Sequence, residues 1–127
     1  MLDHIGINVS DFESAKDFYA AALAPLGMKL AIEPIPKVAG FSAGDRGPQG
    51  AFPVWIAEGR GEPTTGHIAI TAPDRATVDA FHEAAIAAGG TDNGAPGIRE
   101  LYHPDYYGAY VLTADGVNLE AVCHLPG

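Results

Sequence analysis

The strongest constraint on this chain is that it repeats itself. Asp3-His-Ile-Gly-Ile-Asn-Val9 is matched by Gly66-His-Ile-Ala-Ile-Thr-Ala72, an offset of 63 residues that places His4 on His67. At the same offset Asp11 meets Asp74, Ala15 meets Val78, Phe18 meets Phe81 and Gly27 meets Gly90. A register held through two successive elements indicates a duplicated unit. The offset is about half of the 127 residues, too short for two independent cores, so the expectation is one domain over 1–127 with modules at about 1–60 and 64–127.

Each half opens on alternating apolar positions, Ile5/Ile7/Val9 and Ile68/Ile70/Ala72, the period of a strand with one buried face. Ser10-Asp11-Phe12-Glu13 then has capping-box spacing, with Ser10 as the expected cap. Ala15, Phe18, Tyr19, Ala22, Leu23 and Leu26 follow at helical intervals and stop at Gly27. The second half repeats this, with Asp74 as cap, Val78, Phe81, Ala85 and Ile86 as the stripe, and Gly89-Gly90 as the stop. Three extended segments follow each helix, at roughly 28–35, 37–43 and 52–57, then 91–98, 106–113 and 117–124. Residues 44–50 and 58–66 are rich in turn formers and read as loops, the second joining the halves. The fold class is therefore α+β, two tandem β-α-β-β-β modules forming a cupped mixed sheet with the helices outside.

Composition narrows the partners. Seven Lys plus Arg against sixteen Asp plus Glu leave a net charge of −9 with no basic run, which argues against nucleic acid. The opening MLDHIGINVSD lacks a basic segment before an apolar one, and no stretch approaches the roughly 18 apolar residues of a membrane span. A cytoplasmic protein without membrane partners is expected, and a lone cysteine, Cys123, agrees with a reducing compartment.

Strand alternation also places the chemistry. His4 and His67 lie opposite the apolar face of their strands, and in the last strand Leu119, Ala121 and Cys123 form one apolar set that leaves Glu120 on the other face. Two imidazoles and a carboxylate from separate strands can thus share one concavity. Such donors suit iron, manganese, zinc or nickel, and three of them leave coordination positions open for substrate.

With these residues in view, the chain resembles the vicinal oxygen chelate superfamily, which includes glyoxalase I, methylmalonyl-CoA epimerase, extradiol dioxygenases, and fosfomycin or bleomycin resistance proteins. The resemblance rests on the double β-α-β-β-β pattern, the histidine opening each half, and Glu120 closing Asp115-Gly-Val-Asn-Leu-Glu120. It implies a cupped sheet around a divalent ion that chelates two neighbouring oxygens of a small substrate, with His4, His67 and Glu120 as ligands. Glyoxalase I-like members carry another carboxylate late in the first half. Here the repeat places Ala57 opposite Glu120, and Glu58 is out of parity unless a bulge intervenes. A three-donor site follows, nearer the His-His-Glu set of extradiol dioxygenases.

The expected function is a metal-dependent enzyme of dioxygenase, lyase or isomerase type. The alternative is a metal-free binding protein of the bleomycin-sequestering kind. Open sheet edges and family habit are compatible with a homodimer. The segment Arg99–Tyr110 gathers four tyrosines, a histidine and an arginine. In it Tyr110 is the expected hydrogen-bonding partner of a substrate oxygen and His103 a supporting acid or base. Trp55 is expected to wall the substrate hollow, and Arg99 to attract a substrate anion.

Overall fold

The computed structural model describes residues 2–43 and 52–127. The first module comprises β1 (Ile5–Val9), α1 (Phe12–Leu23), a 3-10 turn (Ala24–Leu26), β2 (Lys29–Ile32), β3 (Val38–Ser42) and β4 (Val54–Glu58). The second comprises β5 (Gly66–Thr71), α2 (Arg75–Ala87), β6 (Thr91–Ile98), β7 (Tyr107–Leu112) and β8 (Val117–Cys123). The loop expected at 44–50 lies outside the described residues. No helix among the described residues is long and apolar enough to cross a membrane.

The duplication is visible in the topology. One four-stranded sheet runs β1-β4-β3-β2, the other β5-β8-β7-β6. In each, the opening strand pairs parallel with the closing one, Ile5↔Val54 in the first and Gly66↔Val117 in the second, while the remaining pairs are antiparallel. The fold class is the expected one, with the strands distributed over two mixed sheets.

The apolar stripes of both helices bury themselves against their own sheets and against each other. Tyr19, Ala22 and Leu23 of α1 and Val78, Phe81 and Ala85 of α2 join Ile7, Val9, Ile56, Leu119 and Ala121 in one core. α2 also packs on α1 and the turn that follows it. Gly90 is needed there, because a Cβ on it would lie 2.4 Å from Val111 and 3.1 Å from Phe18.

The start of α1 differs from the capping box. Asp11 is the cap, accepting from the Ser14 N–H at 3.1 Å, and Glu58 accepts from the Phe12 N–H at 2.9 Å. Ser10 instead ties the two modules together: its Oγ donates to Asp115 at 2.6 Å and its N–H to the same carboxylate at 3.0 Å. In the second half Asp74 caps α2 as expected, accepting from Thr77 N–H at 2.7 Å. The linker covers the free side of β1, where Thr64 N–H donates to Asn8 O and Asn8 N–H donates to Thr64 Oγ1, both at 2.8 Å.

Candidate metal and substrate site

β8 runs through the middle of the second sheet, and almost every residue of it is buried. Glu120 is therefore a carboxylate with 0% exposure, on the face opposite Leu119, Ala121 and Cys123. Its register partners are Ala69 on β5 and Tyr110 on β7. His67 stands two residues before Ala69, so its ring falls diagonally across from Glu120, with Nε2 at 2.7 Å from Oε1. A carboxylate oxygen accepts, so Nε2 carries the proton.

The second oxygen of Glu120 takes the hydroxyl of Tyr106, a residue just before β7. The contact depends on Gly108: a Cβ there would lie 3.2 Å from Glu120 Oε2 and 3.3 Å from the Tyr106 ring. Burial and the bond to Glu120 push the Tyr106 phenol well above its ordinary range. Burial, then the charge of Glu120, also raises that of Tyr110. Both phenols hold their protons near neutrality, and Tyr106 donates its own to Glu120.

His103 stands behind Tyr106. Its Nδ1 accepts from the Asp105 N–H at 3.1 Å, which leaves the proton on Nε2 to be donated to His124 Nδ1 at 2.8 Å. The two imidazoles meet the Tyr106 ring edge-on, at 5.6 and 5.2 Å between centroids, and Tyr102 packs on it at 4.8 Å. With both nitrogens engaged, His103 braces Tyr106. Tyr110, 6.0 Å from the His67 ring, opens toward Arg99, whose guanidinium lies 5.4 Å over its face.

His4 takes a different position. Its side chain is 57% exposed and its Nδ1 lies 2.7 Å from the carboxylate of Asp3. It lines a hollow of about 450 Å³ with Leu26, Met28, Ala69 and Thr71. Because Ala69 is the register partner of Glu120, this hollow flanks the same stretch of β5 that Glu120 adjoins. Within one chain, no three His, Cys, Asp or Glu side chains converge to hold a metal ion among the described residues. The structure thus joins His67 and Glu120, while His4 pairs with Asp3.

Trp55 packs on the first sheet. Its ring meets Phe52 at 5.6 Å and lies flat over Gly40, where a Cβ would sit 3.0 Å from two of its ring carbons. Glu58 is fully occupied elsewhere: Lys37 and the Phe12 N–H bind its carboxylate and hold its pKa below the ordinary value. β4 pairs with β3 without a bulge, and Ala57 is the position that the repeat sets opposite Glu120. The first half thus supplies no fourth carboxylate.

Tyr106 is the residue that sequence reasoning missed. It lies four positions before Tyr110 and so shares its parity, which was the available signal.

Fold and site geometry together define a paired-module protein of the vicinal oxygen chelate type. The model of the Glyoxalase/Bleomycin resistance protein/Dioxygenase superfamily matches residues 1–121, and the chain belongs to that superfamily. A glyoxalase/bleomycin resistance protein from Albidiferax ferrireducens T118 is similar at 30% identity and a TM-score of 0.80, over 97% of this chain and 98% of that one. The fold alone is shared with a glyoxalase/bleomycin resistance protein/dioxygenase family enzyme from Burkholderia phytofirmans PsJN, at 18% identity, a TM-score of 0.71, and 97% and 98% coverage. The same holds for TioX from Micromonospora sp. ML1, at 15% identity, a TM-score of 0.73, and 98% and 99% coverage. No curated protein is significantly similar to this chain.

Proposed function

We propose that the chain is a metal-dependent enzyme in which His67 and Glu120, joined by His4, hold a divalent ion for work on a small substrate with two neighbouring oxygens. The reaction type would be that of a dioxygenase, lyase or isomerase. The observation that carries this reading is the condition of Glu120. It has 0% exposure, and its partners among the described residues are an imidazole and a phenol, with no lysine or arginine. An ionised carboxylate buried without a full countercharge costs several kcal/mol, on the order of what breaking a buried ion pair costs. A cation offsets that cost, and imidazole nitrogen with carboxylate oxygen is a donor set that iron, manganese, zinc or nickel accepts.

When bound, the ion supplies Lewis acidity to a chelated pair of oxygens. The protein's own groups do the rest. His67 would bind the ion through the ring nitrogen that faces Glu120. Tyr106 keeps the Glu120 carboxylate oriented through its second oxygen. Tyr110 stays protonated and offers its O–H to a substrate oxygen. His4 would supply the third donor on leaving Asp3. A cytoplasmic location is part of this reading and is supported by the unpaired, buried thiol of Cys123. A homodimer would cover the outer edges that β2 and β6 leave open.

The pairing of His4 with Asp3 favours a second reading, metal-free binding of a small molecule. Elemental analysis of protein purified without chelator separates the two. The expected result is one equivalent of a divalent transition metal in the wild type, loss of it in His67→Ala and Glu120→Gln, and weakened retention in His4→Ala. A wild type that stays metal-free after incubation with iron, manganese, zinc and nickel would sink the enzyme reading in favour of sequestration. Oxygen uptake with catechols and isomerase assays with hemithioacetals then divide the reaction types.

A further inference from the structure

Among the described residues Lys16, Lys37 and Arg75 each have an Asp or Glu oxygen within 4.0 Å; Lys29 and Arg60 do not, and neither does Arg99. Its side chain is nevertheless fixed. The Arg99 N–H donates to Tyr106 O at 2.7 Å, Nη2 donates to Ala95 O at 2.6 Å, and the guanidinium lies over the Tyr110 ring.

The edge strand β6 is shaped to allow this. Its pairing with β7 shifts register between Asp92 and Gly94 and again between Gly94 and Gly97. A Cβ on Gly94 would lie 2.7 Å from Tyr110 and 3.3 Å from Arg99 Nη2, and one on Gly97 would lie 3.0 Å from Arg99 Nη1. Two glycines thus clear a shelf on which the guanidinium lies. From there to Tyr110 is a step of 5.4 Å, and from Tyr110 to the His67 ring another of 6.0 Å.

We infer that Arg99 is an anion subsite beside Tyr110 and that the substrate carries a carboxylate about one aromatic ring away from the oxygens presented to His67 and Glu120. The inference rests on the metal-site reading for its second half only. A guanidinium with one nitrogen held by a backbone carbonyl keeps the other N–H groups free for a planar carboxylate. The ring of Tyr110 beneath it adds cation–π attraction and a flat surface for the body of the ligand. A carboxylate is preferred over a phosphate because one guanidinium matches a monoanion, and surrounding negative charge works against a dianion.

The test uses the full chain, stripped of metal, with benzoate, the neutral isostere benzamide and phenyl phosphate as probes, followed by NMR shift titration. Benzoate should bind the wild type at least tenfold more tightly than benzamide and more tightly than phenyl phosphate. Arg99→Gln should abolish that preference, and Arg99→Lys should keep part of it. Circular dichroism verifies folding, and Arg60→Gln, in the exposed linker, should retain benzoate binding. Benzoate no better than benzamide, or a preference that survives Arg99→Gln, overturns the subsite. Preferred binding of phenyl phosphate overturns the carboxylate assignment. The link to the metal site is read separately with 3,4-dihydroxybenzoate: added zinc or nickel should tighten it in the wild type and leave benzoate unchanged. Benzoate preference without any metal effect leaves the subsite standing and refutes the metal reading alone.

Discussion

Removing one hydroxyl tests the site most directly. Tyr106→Phe keeps the ring packed against Tyr102, His103 and His124 but deletes the O–H that Glu120 Oε2 accepts. Glu120 has 0% exposure, so water cannot replace that donor without opening the sheet. Leaving a buried acceptor unpaired costs about 1–3 kcal/mol, toward the upper end for a charged group. With a urea m-value of about 2 kcal/mol/M, the midpoint should fall by roughly 0.5–1.5 M at unchanged slope. Tyr102→Phe is the control: Tyr102 is 60% exposed and should change stability by less than about 0.5 kcal/mol. Zinc or nickel at saturating concentration should recover more stability in Tyr106→Phe than in the wild type, because a cation beside Glu120 offsets the missing donor. If both substitutions shift the midpoint equally, Glu120 does not depend on Tyr106 and the description of the site is wrong.

Gly108→Ala should cost about 1–3 kcal/mol by pressing a methyl group on Glu120 and Tyr106. In a double-mutant cycle with Tyr106→Phe it should depart from additivity by more than about 0.5 kcal/mol, and strict additivity would place its effect elsewhere. At the start of α1, Asp11→Ala should destabilise by about 1 kcal/mol and Ser10→Ala by less, since Asp11 is the cap. The reverse order in urea titrations would restore Ser10 to that role. Glu58, Asp74 and Asp92 all have folded pKa values below their ordinary ones, from hydrogen bonds to Lys37, Thr77 and His82 respectively. Their stabilisation is present above the ordinary carboxylate range and is lost as pH falls through the lowered values. The urea midpoint should therefore decline steeply below about pH 4, and Glu58→Gln should flatten that acid limb. An unchanged limb would show that Glu58 titrates alike in the folded and unfolded chains.

What the sequence disclosed was governed by local periodicity. Alternation in β1 and β5, the two helical stripes and the 63-residue offset are all short-range patterns, and the topology follows once they are duplicated. Strand parity likewise brought His67 and Glu120 to one face before any coordinates. The misplacements involve partners far along the chain. Ser10 and Asp11 are both capping types, and Asp115, 105 residues from Ser10, decides which of them is free to cap. His103 bonds His124, 21 residues on, which no local pattern announces. Arg99 has the composition of a surface ion pair, and only the register shifts of β6 turn it toward Tyr110. His4 turns to its neighbour Asp3, which strand parity alone does not encode.

The two halves have the same fold and unequal chemistry. On β8, Glu120 pairs across the sheet with Tyr110; at the equivalent place on β4, Ala57 pairs with Val38. The carboxylate one residue later, Glu58, is spent on the N-terminus of α1 and on Lys37. Of a symmetrical pair of sites, the first half therefore retains only its histidine, while the second holds histidine, glutamate and both phenols. That asymmetry has a physical consequence. Two full sets of carboxylates facing one hollow in a chain of net charge −9 would repel each other and any anionic ligand. With a single buried carboxylate, a divalent ion bound by Glu120 and neutral histidines keeps a net charge of about +1. In the proposed function Arg99 would add a second positive centre beside Tyr110, so the second module would carry most of the charge pattern for an oxygenated carboxylate and the first would supply only His4 as a third donor.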